Sequence, residues 1–159
     1  MAEVEQLIET HGFVVSRRSS WHSQADILTA TPTSTNKPVI FLGDSLGEMA
    51  LYYSLSDVAL LGGSFEPLGG QNLIEAAACA CPIVMGPHTF NFAEASQAAL
   101  AAGAAMRAEN MAMAIESAVA LAQDTPRLNA HSENAKRFAS EHGGATQRTA
   151  DAVRHWLTD

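Results

Sequence analysis

The sequence has few cysteines and few basic residues for its length. It holds 2 cysteines, and 9 lysines and arginines stand against 17 aspartates and glutamates among 159 residues, for a net charge of -8. This acidic balance argues against nucleic-acid binding, where affinity comes mostly from neutralising phosphates. Cys79 and Cys81 stand one residue apart with no second pair of metal-ligand spacing. We therefore expect no metal site and interpret them as buried thiols in a reducing compartment.

Long apolar runs and the common nucleotide motifs are also missing. No run of about 18 apolar residues is present, so we expect no transmembrane segment. The acidic N-terminus MAEVEQLIETHG lacks the order of a signal peptide. There is no GxGxxG, no P-loop and no Ser-His-Asp or Cys-His order with supporting context. With 47% hydrophobic and 16% charged residues, the chain is predicted to form one globular domain over residues 1–159.

Short apolar segments alternate with helical patterns along the chain. The predicted strands are FVVSRRS, KPVIFLGD, DVALLGG, PIVMG and GAAMRA. Helices are predicted at SLGEMALYYSLS and at residues 4–10, 72–80, 92–102, 110–123, 126–141 and 145–157, with a surface connection at residues 19–38. The strands are apolar on both faces, which is typical of a doubly wound α/β domain, a parallel sheet with helices on both faces.

Ligands of such sheets bind outside the carboxyl ends of the strands. Three loops follow predicted strands and are rich in glycine, polar or aromatic residues; they cover residues 43–48, 62–75 and 86–92. We call them the first, second and third loop and expect them to lie on the same edge. Any bound ligand is expected there.

The second loop carries the strongest chemistry. Gly69 and Gly70 precede a helix start, where free N–H groups favour a phosphate, and glycine lets a ligand approach the backbone. Asn72 can cap the helix or reach the ligand, and Glu75 can accept hydrogen bonds from ribose hydroxyls. Together these residues predict a nucleotide held by its phosphate and ribose. The alternative is a capped helix after a Gly-Gly turn, with Glu75 an ordinary first-turn acid.

The first and third loops each offer one candidate side chain. Glu48 can meet a ribose or a base, or it can form a capping box with Ser45. His88 can donate to an anionic group, or it can be a solvated loop histidine. Trp21 and Trp156 are interpreted as packing residues.

The motifs GDSLGEM, SDVALLGGSF, GGQNLIEA and MGPHTFNF occur in an order and at a spacing similar to those of a known family. They resemble the C-terminal half of the bacterial 3-deoxy-D-manno-octulosonic acid (Kdo) transferases over residues 13–157. The resemblance implies the Rossmann-like C-terminal half of a glycosyltransferase B fold. It implies an enzyme that passes Kdo from CMP-Kdo to the lipid A precursor at the cytoplasmic face of the inner membrane in lipopolysaccharide biosynthesis.

The resemblance also implies site residues in this sequence. Contacts with CMP are implied at Leu46, Gly47, Glu48, Asn72, Leu73, Ile74 and Glu75, and Gly69 and Gly70 would supply the loop that the donor approaches closely. His88 is added to the donor-binding candidates from the reading of the third loop alone. The donor CMP-Kdo is a substrate, so no cofactor is expected. The family's catalytic glutamate lies in an N-terminal domain, so no catalytic residue is expected here, and we expect this chain to be a soluble fragment that does not transfer Kdo alone.

The chain departs from the family pattern at three points, one of which is that the family's N-terminal domain and membrane anchor are not seen in this sequence. Gln71 and Leu73 stand where the family has histidine and proline in GGHNPLE, and a PRHPERF segment that the family has upstream is not seen. A leucine at position 73 keeps the backbone N–H that a proline lacks. Two alternatives stay open from the residues alone: the donor domain of a UDP-sugar glycosyltransferase or epimerase, and a non-enzymatic α/β binding module.

Overall fold

The computed structural model describes residues 2–21, 37–142 and 153–154 and confirms the α/β class. Contacts divide the chain into two compact units, Met1–Glu48 and Met49–Asp159. The predicted helix at 145–157 and the packing role of Trp156 fall largely outside the described residues. The single-domain organisation stays a prediction.

The first unit is a helix followed by two parallel strands. Its elements are α1 (Ala2–Thr10), β1 (Val14–Arg17), a short 3-10 turn (Arg18–Ser20) and β2 (Val39–Leu42). Helix α1 ends because Gly12 adopts a φ of 84°, a left-handed conformation that glycine accepts at little cost. The strands pair in parallel from Val14 with Val39. Trp21 packs as predicted, because its Nε1 donates to Ser16 Oγ at 2.9 Å and its ring meets Phe41 edge-on.

The second unit is a three-stranded parallel sheet in the order β3-β4-β5. Its strands are β3 (Ala59–Leu61), β4 (Ile83–Met85) and β5 (Ala105–Arg107). Its helices are α2 (Met49–Leu55), α3 (Leu73–Ala78), α4 (Ala93–Ala101), α5 (Met111–Ala122) and α6 (Thr125–His142). The described strands thus form two parallel sheets, where the sequence predicted one.

The central strand β4 is buried on both faces, as the continuous apolar run predicted. Ile83 and Met85 belong to a cluster with Leu73 and Phe138, whereas Val84 belongs to a second cluster with residues of α5. Because neighbouring strand residues point to opposite faces, helices cover the sheet on both sides. This confirms the doubly wound arrangement for the second unit.

Helix α3 is shorter than the predicted segment 72–80. It ends at Ala78 because Ala80 adopts a φ of 57°, the left-handed region that stops an α-helix. The N–H of Cys81 then donates to Ala76 O at 3.1 Å, which satisfies a carbonyl of the last turn. The six residues of α3 leave its N-terminus with a smaller dipole than the sequence interpretation assumed.

Candidate functional site

Ser64 joins the ends of two neighbouring strands. It follows β3 and is fully buried, and its Oγ donates to Leu61 O at 2.5 Å and accepts from Gly86 N at 2.7 Å. Its carbonyl oxygen accepts from His88 N at 2.9 Å. A Cβ at position 86 would lie 2.3 Å from Ser64 O, so a side chain has no room there. The start of the third loop is therefore fixed to the start of the second.

Gly69 and Gly70 form a turn that packs on the third loop. Their φ angles are 91° and 85°, both in the left-handed region. Asn91 N donates to Gly69 O at 3.1 Å, and Asn91 Nδ2 donates to Leu68 O at 3.2 Å. A Cβ on Gly69 would lie 2.2 Å from Asn91 Nδ2. The second and third loops thus lie together as predicted, but the space beside Gly69 is filled by Asn91 and is not left for a ligand.

Asn72 caps helix α3, which was one of the two roles that the sequence suggested for it. Its Oδ1 accepts from Ile74 N at 3.1 Å, and its Nδ2 donates to Glu75 Oε1 at 3.0 Å. The side chain of Leu73 is buried in the core, so only its backbone can reach a ligand. Ile74 also packs against the core. Glu75 is exposed and offers its carboxylate at the surface beside the cap.

The third loop carries His88 and is held by a residue that sequence reasoning missed. His88 is half-buried and Thr89 is buried. Arg107 Nη1 donates to Gly86 O and Pro87 O, both at 3.1 Å, and Nη2 donates to Thr89 Oγ1 at 3.2 Å. One feature of the sequence could have pointed to Arg107: it is a basic residue at the carboxyl end of the predicted strand GAAMRA. We considered only the apolar residues of that strand.

The first loop belongs to the first unit and is organised by ion pairs. Glu48 accepts from Arg18 Nη2 at 2.7 Å and also from Ser45 Oγ. The predicted capping box is wrong in its position, because α2 begins at Met49 and Glu48 therefore precedes the helix. Leu46 is fully exposed, and Gly47 has a φ of 79°. That this loop shares an edge with the other two stays a prediction.

Asp44 anchors the first loop to the end of β1. The Ser19 hydroxyl and backbone N–H donate to its carboxylate at 2.6 and 2.8 Å, and Arg17 Nη2 lies 2.8 Å from it. These hydrogen bonds, led by the Ser19 hydroxyl, lower the pKa of Asp44 from 3.8 to about 2. Asp44 is therefore ionised at neutral pH, and its charged carboxylate holds the first loop against the end of β1.

The two cysteines differ in their surroundings. Cys81 is buried, and desolvation followed by the neighbouring Cys79 raises its pKa to about 11, which fits the predicted packed thiol. Cys79 is half-buried. The described part of the chain holds no group of three metal-ligating side chains. None of its described helices is long and apolar enough to cross a bilayer.

In the second unit, the parallel sheet, its two helical layers and the loops at the carboxyl ends of the strands define a Rossmann-like α/β domain. The same fold occurs in the crystal structure of the C-terminal CMP-Kdo binding domain of WaaA from Acinetobacter baumannii. That structure matches with a TM-score of 0.73 and 26% identity over 86% of this chain and 66% of the other. No protein-family model matches the chain.

The sequence relatives of this chain are transferases. A 3-deoxy-D-manno-octulosonic acid transferase of Bordetella pertussis is 52% identical over 74% of this chain and 28% of its own length. The transferase of Haemophilus influenzae is 34% identical over the same shares, 74% and 28%. That of Rickettsia typhi is 33% identical over 80% of this chain and 28% of its own length. The chain is therefore homologous to a segment of the Kdo transferases, a little over a quarter of their length.

Proposed function

We propose that this chain is the donor-binding part of a glycosyltransferase and that its ligand is CMP-Kdo. The observation that carries the proposal is the match of 86% of the chain to a domain that binds CMP-Kdo. The relatives that share the same segment are Kdo transferases, which disfavours the UDP-sugar and non-enzymatic alternatives.

The second loop is proposed to hold the nucleoside. Glu75 accepts one hydrogen bond from Asn72 and is exposed, and a carboxylate has about four acceptor positions. It can therefore also accept from the two ribose hydroxyls. Asn72, Leu73 and Ile74 are proposed to contribute through the backbone around the cap, because the side chains of Leu73 and Ile74 are directed to the core.

The remaining donor contacts are proposed from the other loops. Leu46, Gly47 and Glu48 contribute from the first loop, where Glu48 is already paired with Arg18. Gly69 and Gly70 give the second loop its shape, which depends on their left-handed φ angles. His88 is proposed to donate to an anionic group of the donor, since its ring is half-buried at the carboxyl end of β4.

For the whole protein we propose Kdo transfer from CMP-Kdo to the lipid A precursor. We propose that this protein has a glycosyltransferase B fold and works at the cytoplasmic face of the inner membrane in lipopolysaccharide biosynthesis. The transferase name of the relatives supports the reaction. The acceptor, the location and the two-domain fold rest on the resemblance of the four sequence motifs.

The proposal is tested by calorimetric titration of CMP into the chain and into the variant Glu75→Gln. A hydrogen bond to a charged acceptor contributes about 1 kcal/mol more than one to a neutral acceptor, so losing the charge for both ribose hydroxyls costs about 2 kcal/mol and we expect about thirtyfold weaker binding. Glu116→Gln is the matched control, because Glu116 is also exposed but lies on α5. If Glu75→Gln binds CMP as tightly as the wild type does, Glu75 is not part of the site. If the wild type does not bind CMP, the proposed function is refuted.

A further inference from the structure

Arg107 is placed to control the shape of the third loop. It is the last residue of β5, and the parallel register pairs it with Met85, the last residue of β4. The Ala108 N–H donates to Met85 O at 2.9 Å, so the ladder continues to the point where the third loop begins. From there the guanidinium reaches across to the loop that follows the neighbouring strand.

The contacts of Arg107 cover successive parts of that loop. One nitrogen binds the carbonyl oxygens of Gly86 and Pro87, and the other binds the hydroxyl of Thr89, on either side of His88. A planar guanidinium can satisfy three acceptors in fixed directions, which a lysine ammonium on a flexible stem does less well. Among the described contacts, Ser64 holds the same loop from the side of β3.

The third loop is in direct contact with the second loop, so its position constrains that of the second. The Cβ position of Gly70 lies 3.4 Å from His88 O and from the Cα of Thr89. Asn91 N donates to Gly69 O at 3.1 Å. Movement of the segment around His88 therefore displaces the turn that leads directly to Asn72.

We propose that Arg107 is a positioning residue for donor binding, acting on His88 and on the turn at Gly69 through the backbone of the third loop. This inference rests on the proposed function and adds to it a residue that acts through the third loop and is not among the donor contacts proposed above. In this role the guanidinium positions the third loop through the fixed directions of its N–H donors as well as through its charge. Arg107 and Thr89 should act as one unit.

The test uses the 159-residue chain and the variants Arg107→Ala, Arg107→Lys and Thr89→Val. CMP affinity is measured by calorimetry, the backbone of the loop by amide NMR shifts without ligand, and stability by thermal unfolding. Arg127→Ala is the control, because its side chain is 58% exposed on α6.

We expect Arg107→Ala to weaken CMP binding about tenfold, or about 1.4 kcal/mol, and to shift the amides of His88 and Thr89. Arg107→Lys should give an intermediate loss, and Thr89→Val should lower affinity less in the Arg107→Ala background than in the wild type. The control should bind as the wild type does.

Wild-type CMP affinity in Arg107→Ala, with the loop amides in place, would overturn the inference while leaving the proposed function intact. An equal loss in Arg127→Ala would also overturn it. If Arg107→Ala fails to fold, Arg107→Lys decides, and wild-type affinity there would contradict a role for the fork of donors. A wild type that does not bind CMP refutes the proposed function, and with it the donor-binding role given to Arg107.

Discussion

Adding one methyl group at Gly69 should destabilise the protein more than the same change one residue later. Gly69 and Gly70 have similar φ angles, 91° and 85°, so alanine at either position carries the same left-handed strain of about 1–2 kcal/mol. Their surroundings differ. The new Cβ at 69 would lie 2.2 Å from Asn91 Nδ2 and 2.7 Å from Phe90 Cε2, whereas at 70 the nearest atoms lie 3.4 Å away.

The added cost at Gly69 comes from displacing Asn91. Its side chain donates to Leu68 O at 3.2 Å, and losing such a bond costs about 1 kcal/mol. We therefore expect Gly69→Ala to lower the free energy of unfolding by about 2–3 kcal/mol and Gly70→Ala by about 1–2 kcal/mol. The effect of alanine on the unfolded chain is the same in both variants and cancels in the comparison.

Urea denaturation followed by circular dichroism measures the difference. In an Asn91→Ala background the extra cost at Gly69 should fall by about 1 kcal/mol, because the displaced amide is already absent. The reasoning is refuted if Gly70→Ala is as destabilising as Gly69→Ala, or if Asn91→Ala leaves the difference unchanged.

Three further predictions follow from buried or perturbed groups. Ser64→Ala should cost about 1–3 kcal/mol in urea denaturation, since the buried Gly86 N–H loses its partner; an unchanged midpoint would contradict this. Because the pKa of Asp44 is lowered from 3.8 to about 2, its stabilisation is present above pH 4 and lost towards pH 2. The wild type should lose more stability in that window than Asp44→Asn. Iodoacetamide should modify Cys79 before the buried Cys81, and equal rates by mass spectrometry would refute this.

Local features of the sequence predicted the elements and the cap of α3 well. Gly12 ends α1 and Asn72 begins α3, and both act through their own backbone neighbourhood, so their residue types were informative. The alternation of apolar strands with helices indicated the parallel sheet most clearly at β4, because all three residues of that strand are buried, whereas β3 and β5 each contain an exposed residue. Loops that follow the carboxyl ends of neighbouring parallel strands lie on the same edge of the sheet, and this correctly predicted that the second and third loops are neighbours.

The rest depends on residues that meet only after folding. Ser64 and Gly86 are 22 residues apart, and Arg107 and Thr89 are 18 apart, so neither pairing leaves a local pattern. Likewise, the requirement for glycine at position 69 comes from Asn91, which occupies the space that the sequence interpretation left for a ligand.

The most direct test of the account is a titration of the chain with CMP, with UMP and AMP in parallel, followed by amide NMR shifts. We expect saturable shifts with CMP at Gly47, Glu48, Asn72 and Glu75, and weaker responses to the other two nucleotides. Equal responses to CMP and UMP, or no saturable response to CMP, would contradict it.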